Sequence, residues 1–189
     1  MRIIAGEARG RRIDAPSGKN TRPTLDRIRE NLFNMIQQDV PDSRVLDLFA
    51  GSGALSLEAL SRGASFAVMA DHDRNACSTI RSNIQKLDYG ERTSLLFCDW
   101  RQAVDKLRRE QERFDIVFLD PPYAMNQTGD VFHSLLPLVD ADSLIILEHE
   151  AGKAAGASPE FRCVKQKSWG YCAVSLFRVL NECIQKAED

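Results

Sequence analysis

The sequence has no long apolar run. Its most continuous stretches, such as Phe114–Leu119 and Leu144–Leu147, are far too short to cross a bilayer. The amino terminus, Met-Arg-Ile-Ile-Ala-Gly, shows no signal-peptide pattern, so a cytoplasmic protein with no membrane partner is expected. Cys-x-x-Cys pairs are also lacking. Cys77, Cys98, Cys163, Cys172 and Cys183 are odd in number and scattered, which signals neither a disulfide framework nor a zinc site and predicts reduced thiols and no metal. No Pro-Cys pair offers the nucleophile of a cytosine-C5 methylating enzyme. No repeat, low-complexity tract or linker divides the 189 residues, a length that suits one domain; a monomer is expected.

Charge of one sign is scarce over the whole chain, at net −2, but it is unevenly placed. Residues 1–29 hold eight bases (Arg2, Arg9, Arg11, Arg12, Lys19, Arg22, Arg27, Arg29) against three acids (Glu7, Asp14, Asp26), a local +5 that leaves −7 on the remainder. A basic arm on an acidic body suits a protein that holds a phosphate backbone at one edge. Arg2, Arg9, Arg11, Arg12, Lys19 and Arg22 are the candidate phosphate contacts, with Thr24 at the arm's end. Gly6, Gly10, Pro16, Gly18 and Pro23 break residues 1–23 into short extended pieces or hairpins, so the arm is expected to lie on the surface rather than in a core.

From Thr24 to the carboxyl end the pattern is that of a single domain, 24–189. Leu25, Ile28, Leu32, Phe33 and Ile36 share one helical face, with Thr24 or Asp26 as caps and Pro41 as the stop. Apolar strands near Val45–Phe49, Phe66–Ala70, Ser94–Phe97, Phe114–Leu119 and Leu144–Glu148 then alternate with amphipathic helices near Ala54–Ser61, Arg74–Lys86, Arg101–Gln111 and Gly129–Leu138. That alternation predicts an α/β fold with a mostly parallel sheet covered on both faces. Arg162–Gln166 and Ala173–Leu180, joined at Trp169-Gly170-Tyr171, read as an antiparallel hairpin on its edge, which brings the sheet to seven strands.

In such a sheet ligands bind beyond the carboxyl ends of the strands, so each strand end is a candidate contact. The first runs Asp47-Leu-Phe49-Ala50-Gly51-Ser52-Gly53. Its glycines allow a tight turn and close ligand approach, but a dinucleotide fingerprint would place a third glycine where Ser56 stands. Asp47, four residues ahead of Gly51, suits a cationic ligand such as a sulfonium or an ammonium. The second strand ends at Asp71, spaced as a ribose acceptor from the glycine loop, with His72 beside it and Asp73 free to cap the next helix. At the third, Asp99 and Trp100 would hold an adenine, or serve as a helix cap and a core aromatic. The fourth ends in Asp120-Pro121-Pro122-Tyr123. The lone pair of an exocyclic amine is delocalised into its ring, so the amine becomes nucleophilic only when acceptors hold its hydrogens. The Asp120 carboxylate and the Pro121 carbonyl would supply two, the stiff prolines would fix them, and Tyr123 would stack on the base. A simple turn is the alternative. The order of these strand ends describes an S-adenosylmethionine-dependent methyltransferase acting on an amino nitrogen.

Over nearly its whole length the chain resembles the RsmD-type guanine-N2 methyltransferases of 16S ribosomal RNA. The likeness rests on Met1-Arg-Ile-Ile-Ala-Gly6, Gly10-Arg-Arg-Ile13, Arg22-Pro-Thr24 with the helix after it, Asp47–Gly53, Glu58-Ala-Leu-Ser-Arg-Gly-Ala64 and Asp120–Tyr123. It implies a Rossmann-like class I fold, S-adenosylmethionine as cofactor with S-adenosylhomocysteine as product, and 16S RNA within a small-subunit particle as partner. Two positions depart from the family pattern: Asp71 stands where Glu is usual, and Trp169-Gly170-Tyr171-Cys172 replaces Tyr-Gly-Asp-Thr. The rival readings are an adenine-N6 DNA methyltransferase and a non-catalytic RNA-binding or assembly protein on the same scaffold.

Overall fold

The computed structural model describes residues 1–15, 23–122 and 128–180, with the backbone alone at 23–25. The elements follow in the order α1 (Pro23–Met35), β1 (Arg44–Asp47), α2 (Ala54–Ser61), β2 (Phe66–Asp71), α3 (Arg74–Leu87), β3 (Thr93–Phe97), α4 (Trp100–Arg109), β4 (Ile116–Leu119), α5 (Thr128–Leu135), β5 (Leu144–Glu150), β6 (Phe161–Trp169) and β7 (Cys172–Val179). They build one seven-stranded sheet in the order β3-β2-β1-β4-β5-β7-β6. The first five strands are parallel, and β7 and β6 add antiparallel. This is the class I methyltransferase architecture.

Strand alternation sorts the core into two layers. Ile116 and Phe118 of β4 face the cluster that contains Ile28, Leu32 and Phe33 of α1 and Leu57 and Leu60 of α2. Val117 and Leu119 face the opposite cluster, with Val104 and Leu107 of α4 and Phe132 and Leu135 of α5. All four residues of β4 are buried, as a central parallel strand covered on both faces requires.

Two expectations fail. The helix α1 stops at Met35, short of Pro41, because the chain turns at 37–39 with an Asp39 N–H bond to the Ile36 carbonyl. The arm is not confined to the surface. An isolated bridge joins Arg2 to Arg12, and the hairpin so formed sends Ile3, Ala8 and Ile13 into the core layer of α1 and α2. Full burial of one such aliphatic side chain contributes roughly 1.5–3 kcal/mol, which outweighs the arm's polar composition.

The hairpin docks through α2. Glu58, wholly buried, accepts from Ile4 N (2.8 Å) and Ala5 N (3.0 Å) and pairs with Arg62 Nε (2.7 Å) and Arg29 Nε (3.7 Å). The Ser61 hydroxyl donates to the Ala5 carbonyl at 2.6 Å and accepts from Ala8 N at 3.0 Å. Gly6 passes so close that a Cβ there would lie 1.7 Å from the Ser61 carbonyl oxygen, and its φ is +83°. Only glycine fits.

Candidate active site

Strand order reverses at β1, which lies between β2 and β4, so a crevice opens beyond their carboxyl ends. A cleft of about 770 Å³ occupies that place. Its lining includes Asp47, Phe49, Ala50, Gly51, Ser52, Asp71, His72, Asp99, Trp100, Asp120 and Pro122. The candidates of four separate strand ends therefore converge on one cavity. Gly53 sits behind it, with φ +77°, where a Cβ would come within 3.1 Å of Met69 Sδ and 3.4 Å of Leu57. Pro121 is buried and borders a neighbouring cavity. Tyr123, Lys19, Arg22, the Thr24 side chain and Cys183 lie outside the described residues.

The glycine loop is held from below by polar side chains. Asp71 accepts from Gly51 N on Oδ2 and from Asp73 N on Oδ1, each at 2.8 Å. A carboxylate has about four lone-pair sites, so two remain for hydroxyl donors. Asp73 caps α3, accepting from Asn75 N (2.7 Å) and Ala76 N (2.8 Å). Asp99 caps α4 through Gln102 N at 3.0 Å while still bordering the cleft. The buried Trp100 joins the α4 core layer, and the Arg101 guanidinium lies 4.3 Å from its ring centroid. For Asp99 and Trp100, cap and cleft wall, core and cleft wall, are compatible roles.

Asp47 is the most perturbed acid. Burial raises its pKa to about 7, offset in part by the Ser56 hydroxyl, which donates to Oδ2 at 3.1 Å, and by the Phe49 N–H. Its other oxygen, Oδ1, has no partner of hydrogen-bonding geometry. A buried, unsatisfied carboxylate oxygen in a cleft wall is costly unless a donor arrives. Among the described residues, the cleft carries Asp47, Asp71, Asp73, Asp99, Asp120 and Glu148 against Arg29 and Arg101. That balance favours a cationic nucleoside over a dinucleotide diphosphate, and the residues present fit S-adenosylmethionine.

Sequence reasoning missed three residues that organise this region. Ser56, in the third-glycine position, is what orients Asp47. Arg29 is buried on the inner face of α1 and donates to the Arg2 carbonyl (2.6 Å) and Asp26 (3.1 Å) at the cleft wall. Asn83 is wholly buried on α3. It donates to the carbonyls of Asp14 and Ser52, both at 3.0 Å, and accepts from Asp14 N at 2.8 Å. Its signal was a polar residue in the apolar stripe of Ala76, Ile80 and Leu87.

Of the basic arm, Arg2, Arg9 and Arg12 are exposed. Arg11 is exposed too, but its guanidinium bonds the Lys86 and Leu87 carbonyls, the latter at 3.3 Å. A cation at the last carbonyls of a helix is favourable, so Arg11 fastens the arm to α3. Cys77, Cys98 and Cys163 are free thiols. Among the described residues no helix is long and apolar enough to cross a membrane, and no group of His, Cys, Asp and Glu is placed to hold a metal ion.

Known proteins share this arrangement. A family model described as conserved hypothetical protein 95 matches residues 1–178. Ribosomal RNA small subunit methyltransferase D of Haemophilus influenzae is 32% identical over 180 residues, covering 94% of this chain and 93% of that protein. Its Escherichia coli counterpart is 34% identical over 182 residues, covering 94% and 89%. The solved structure of yhhF from Escherichia coli superposes with a TM-score of 0.80 at 32% identity, covering 95% of this chain and 97% of that one. The chain belongs to the RsmD-type methyltransferase family, enzymes built on the class I S-adenosylmethionine-dependent fold.

Proposed function

We propose that this protein methylates the exocyclic N2 amine of a guanine in 16S ribosomal RNA, using S-adenosylmethionine. The observation that carries the reading is the convergence of Gly51 and Ser52 of the glycine loop, Asp47, Asp71, Asp99, Asp120 and Pro122 on one acidic cleft at the sheet's switch point. The relatives, ribosomal RNA small subunit methyltransferases of Haemophilus influenzae and Escherichia coli, supply the ribosomal substrate.

When bound, S-adenosylmethionine supplies an electrophilic methyl group on a sulfonium. Asp47 and the loop amides are the candidates for its amino-acid end, Asp71 for its ribose hydroxyls, and Asp99 with Trp100 for its adenine. Asp120 and the Pro121 carbonyl accept the two N2 hydrogens of the target base, which frees the nitrogen lone pair for attack. The base must leave its stack to be held so. Because both reactants are fixed on the ends of rigid strands, positioning carries most of the rate enhancement, ~7–11 kcal/mol in favourable cases. No strong general base is demanded, since the alkylated amine loses its proton readily. Arg2, Arg9 and Arg12, exposed on the arm, are the candidate phosphate contacts.

The test is incubation with methyl-labelled cofactor and small-subunit particles from cells that lack the protein. Label should enter 16S RNA at one guanine. Label in no RNA overturns the reading.

A further inference from the structure

A second cavity of about 260 Å³ lies beside the cofactor cleft, walled by Pro121 and Pro122 on one side and by the end of β5 on the other, with Lys153 at its edge. Pro122 and Glu148 border both cavities. Whatever enters the smaller space therefore touches the amine-gripping segment and reaches the cofactor cleft past Glu148.

We propose that this cavity receives the target base, and that Glu148 and Lys153 select guanine over adenine. The proposal rests on the methyl-transfer reading above and deepens it. Asp120 and the Pro121 carbonyl grip an amine, and both purines can carry one, so the segment alone cannot discriminate. The neighbouring ring positions can. Guanine presents an N1–H donor beside its 2-amine and an O6 acceptor beyond it, whereas adenine, held by its 6-amine, presents an N1 acceptor and then a C2–H. A carboxylate next to the amine accepts from guanine N1–H and repels the lone pair of adenine N1. An ammonium one position further donates to O6, as lysine commonly does to guanine, but finds no acceptor at the C2–H of an adenine held by its 6-amine.

The fold gives Glu148 a rigid mount. By strand alternation it shares a face with Ile146, and it is half-buried. Across the strand, His149 is buried, with Nε2 2.8 Å from Ser175 Oγ and Nδ1 donating to the Glu150 carbonyl at 3.1 Å. β7 pairs with this end through Glu148↔Val174 and Glu150↔Cys172. A selecting group set on a locked strand holds its position better than one on a loop. Lys153 is exposed and paired with Glu150 Oε2 at 2.6 Å. That ion pair keeps the ammonium at the rim, and exposed pairs of this kind are weak enough to yield to a new acceptor.

The experiment compares kcat/KM for small-subunit RNA carrying either guanine or 2,6-diaminopurine at the labelled position, naked or in reconstituted particles, whichever the wild type labels. The analogue keeps the 2-amine but has an N1 acceptor and a 6-amino donor. The wild type should favour guanine by about 10–100-fold, the discrimination usual for one well-made base contact. Glu148→Gln, whose amide can donate to N1, should narrow that ratio by about tenfold, and Lys153→Met should narrow it as well. Lys167→Met on β6 should leave it unchanged. Unaltered circular dichroism and urea midpoints show that the variants are folded. An unchanged ratio in both variants, including a parallel fall with both substrates, overturns the assignment alone. A wild type that labels no RNA overturns the underlying reading and this assignment with it.

Discussion

The Asn83 side chain donates to the Ser52 carbonyl at 3.0 Å from a wholly buried position, and the same amide group exchanges two hydrogen bonds with Asp14. One residue of α3 thus ties the glycine loop to the amino-terminal arm. Asn83→Ala removes hydrogen bonds to partly buried backbone groups on both sides, at roughly 1–3 kcal/mol for each group water cannot reach. A loss of about 2–4 kcal/mol in urea denaturation is expected, with weaker S-adenosylhomocysteine binding. Lost stability with unchanged affinity would separate Asn83 from the loop's function.

Asp71 holds the loop amide of Gly51 from the end of β2. Asp71→Ala removes that bond and the candidate ribose acceptor together. Cofactor affinity should fall by about 10–100-fold, since hydrogen bonds to a charged group contribute roughly 1.5–3 kcal/mol each. Asp71→Glu, which keeps a carboxylate at the end of β2, should bind far better than Asp71→Ala. Isothermal titration with S-adenosylhomocysteine measures both.

Burial raises the Asp47 carboxyl from its ordinary 3.8 to about 7. The folded state therefore binds this proton more tightly than the unfolded chain, so the stability linked to it is present at low pH and is lost as pH rises from about 4 to about 7. Asp47→Asn should flatten that part of the urea stability profile. Cofactor binding near pH 7 should release protons, because a cationic ligand favours the carboxylate. Titrations in buffers of different ionisation enthalpy read the release directly, and its absence would remove Asp47 from contact with the cationic part of the cofactor.

Glu58 holds the arm through two backbone amides and two arginines. Removing one partner of a buried ionic cluster costs about 3–5 kcal/mol, because the remaining charge is left uncompensated. Glu58→Ala should therefore lower stability by about that much and speed proteolysis of residues 1–15. A near-wild-type denaturation midpoint would show that the arm docks by apolar burial alone.

Replacing Arg2, Arg9 and Arg12 together by alanine should weaken RNA binding and leave S-adenosylhomocysteine affinity intact. On the duplex scale, loss of three phosphate contacts reduces the slope of log K against log salt by about 2.7. Equal loss of cofactor and RNA affinity would point instead to a damaged fold.

β1, β2, β4 and β5 were legible because each is mostly buried and so reads as an apolar run; α2 falls at Ala54–Ser61 as its spacing predicts. β6 was read too short, as Arg162–Gln166 rather than Phe161–Trp169, because an edge strand with exposed residues on both faces carries no alternation to follow. The cleft was legible at its glycines and at acids standing at strand ends. Asn83 and Arg29 were not, because they bond backbone carbonyls distant in sequence, and Ser56 was not, because the Asp47 it bonds lies on a different element. The arm misled for a related reason. Its glycines and arginines dominate its composition, while the three apolar residues that anchor it, Ile3, Ala8 and Ile13, are too widely spaced to form a pattern.

The central claim, that the Asp120-Pro121 segment holds a guanine amine against the cofactor cleft, is met most directly by nucleoside mass spectrometry of 16S RNA from particles incubated with S-adenosylmethionine and either the wild type or Asp120→Ala. The wild type should yield N2-methylguanosine. The variant should yield less by 100-fold or more, a barrier change of about 2.7 kcal/mol, while still binding S-adenosylhomocysteine. Methylated adenine, or full activity in Asp120→Ala, would contradict the account.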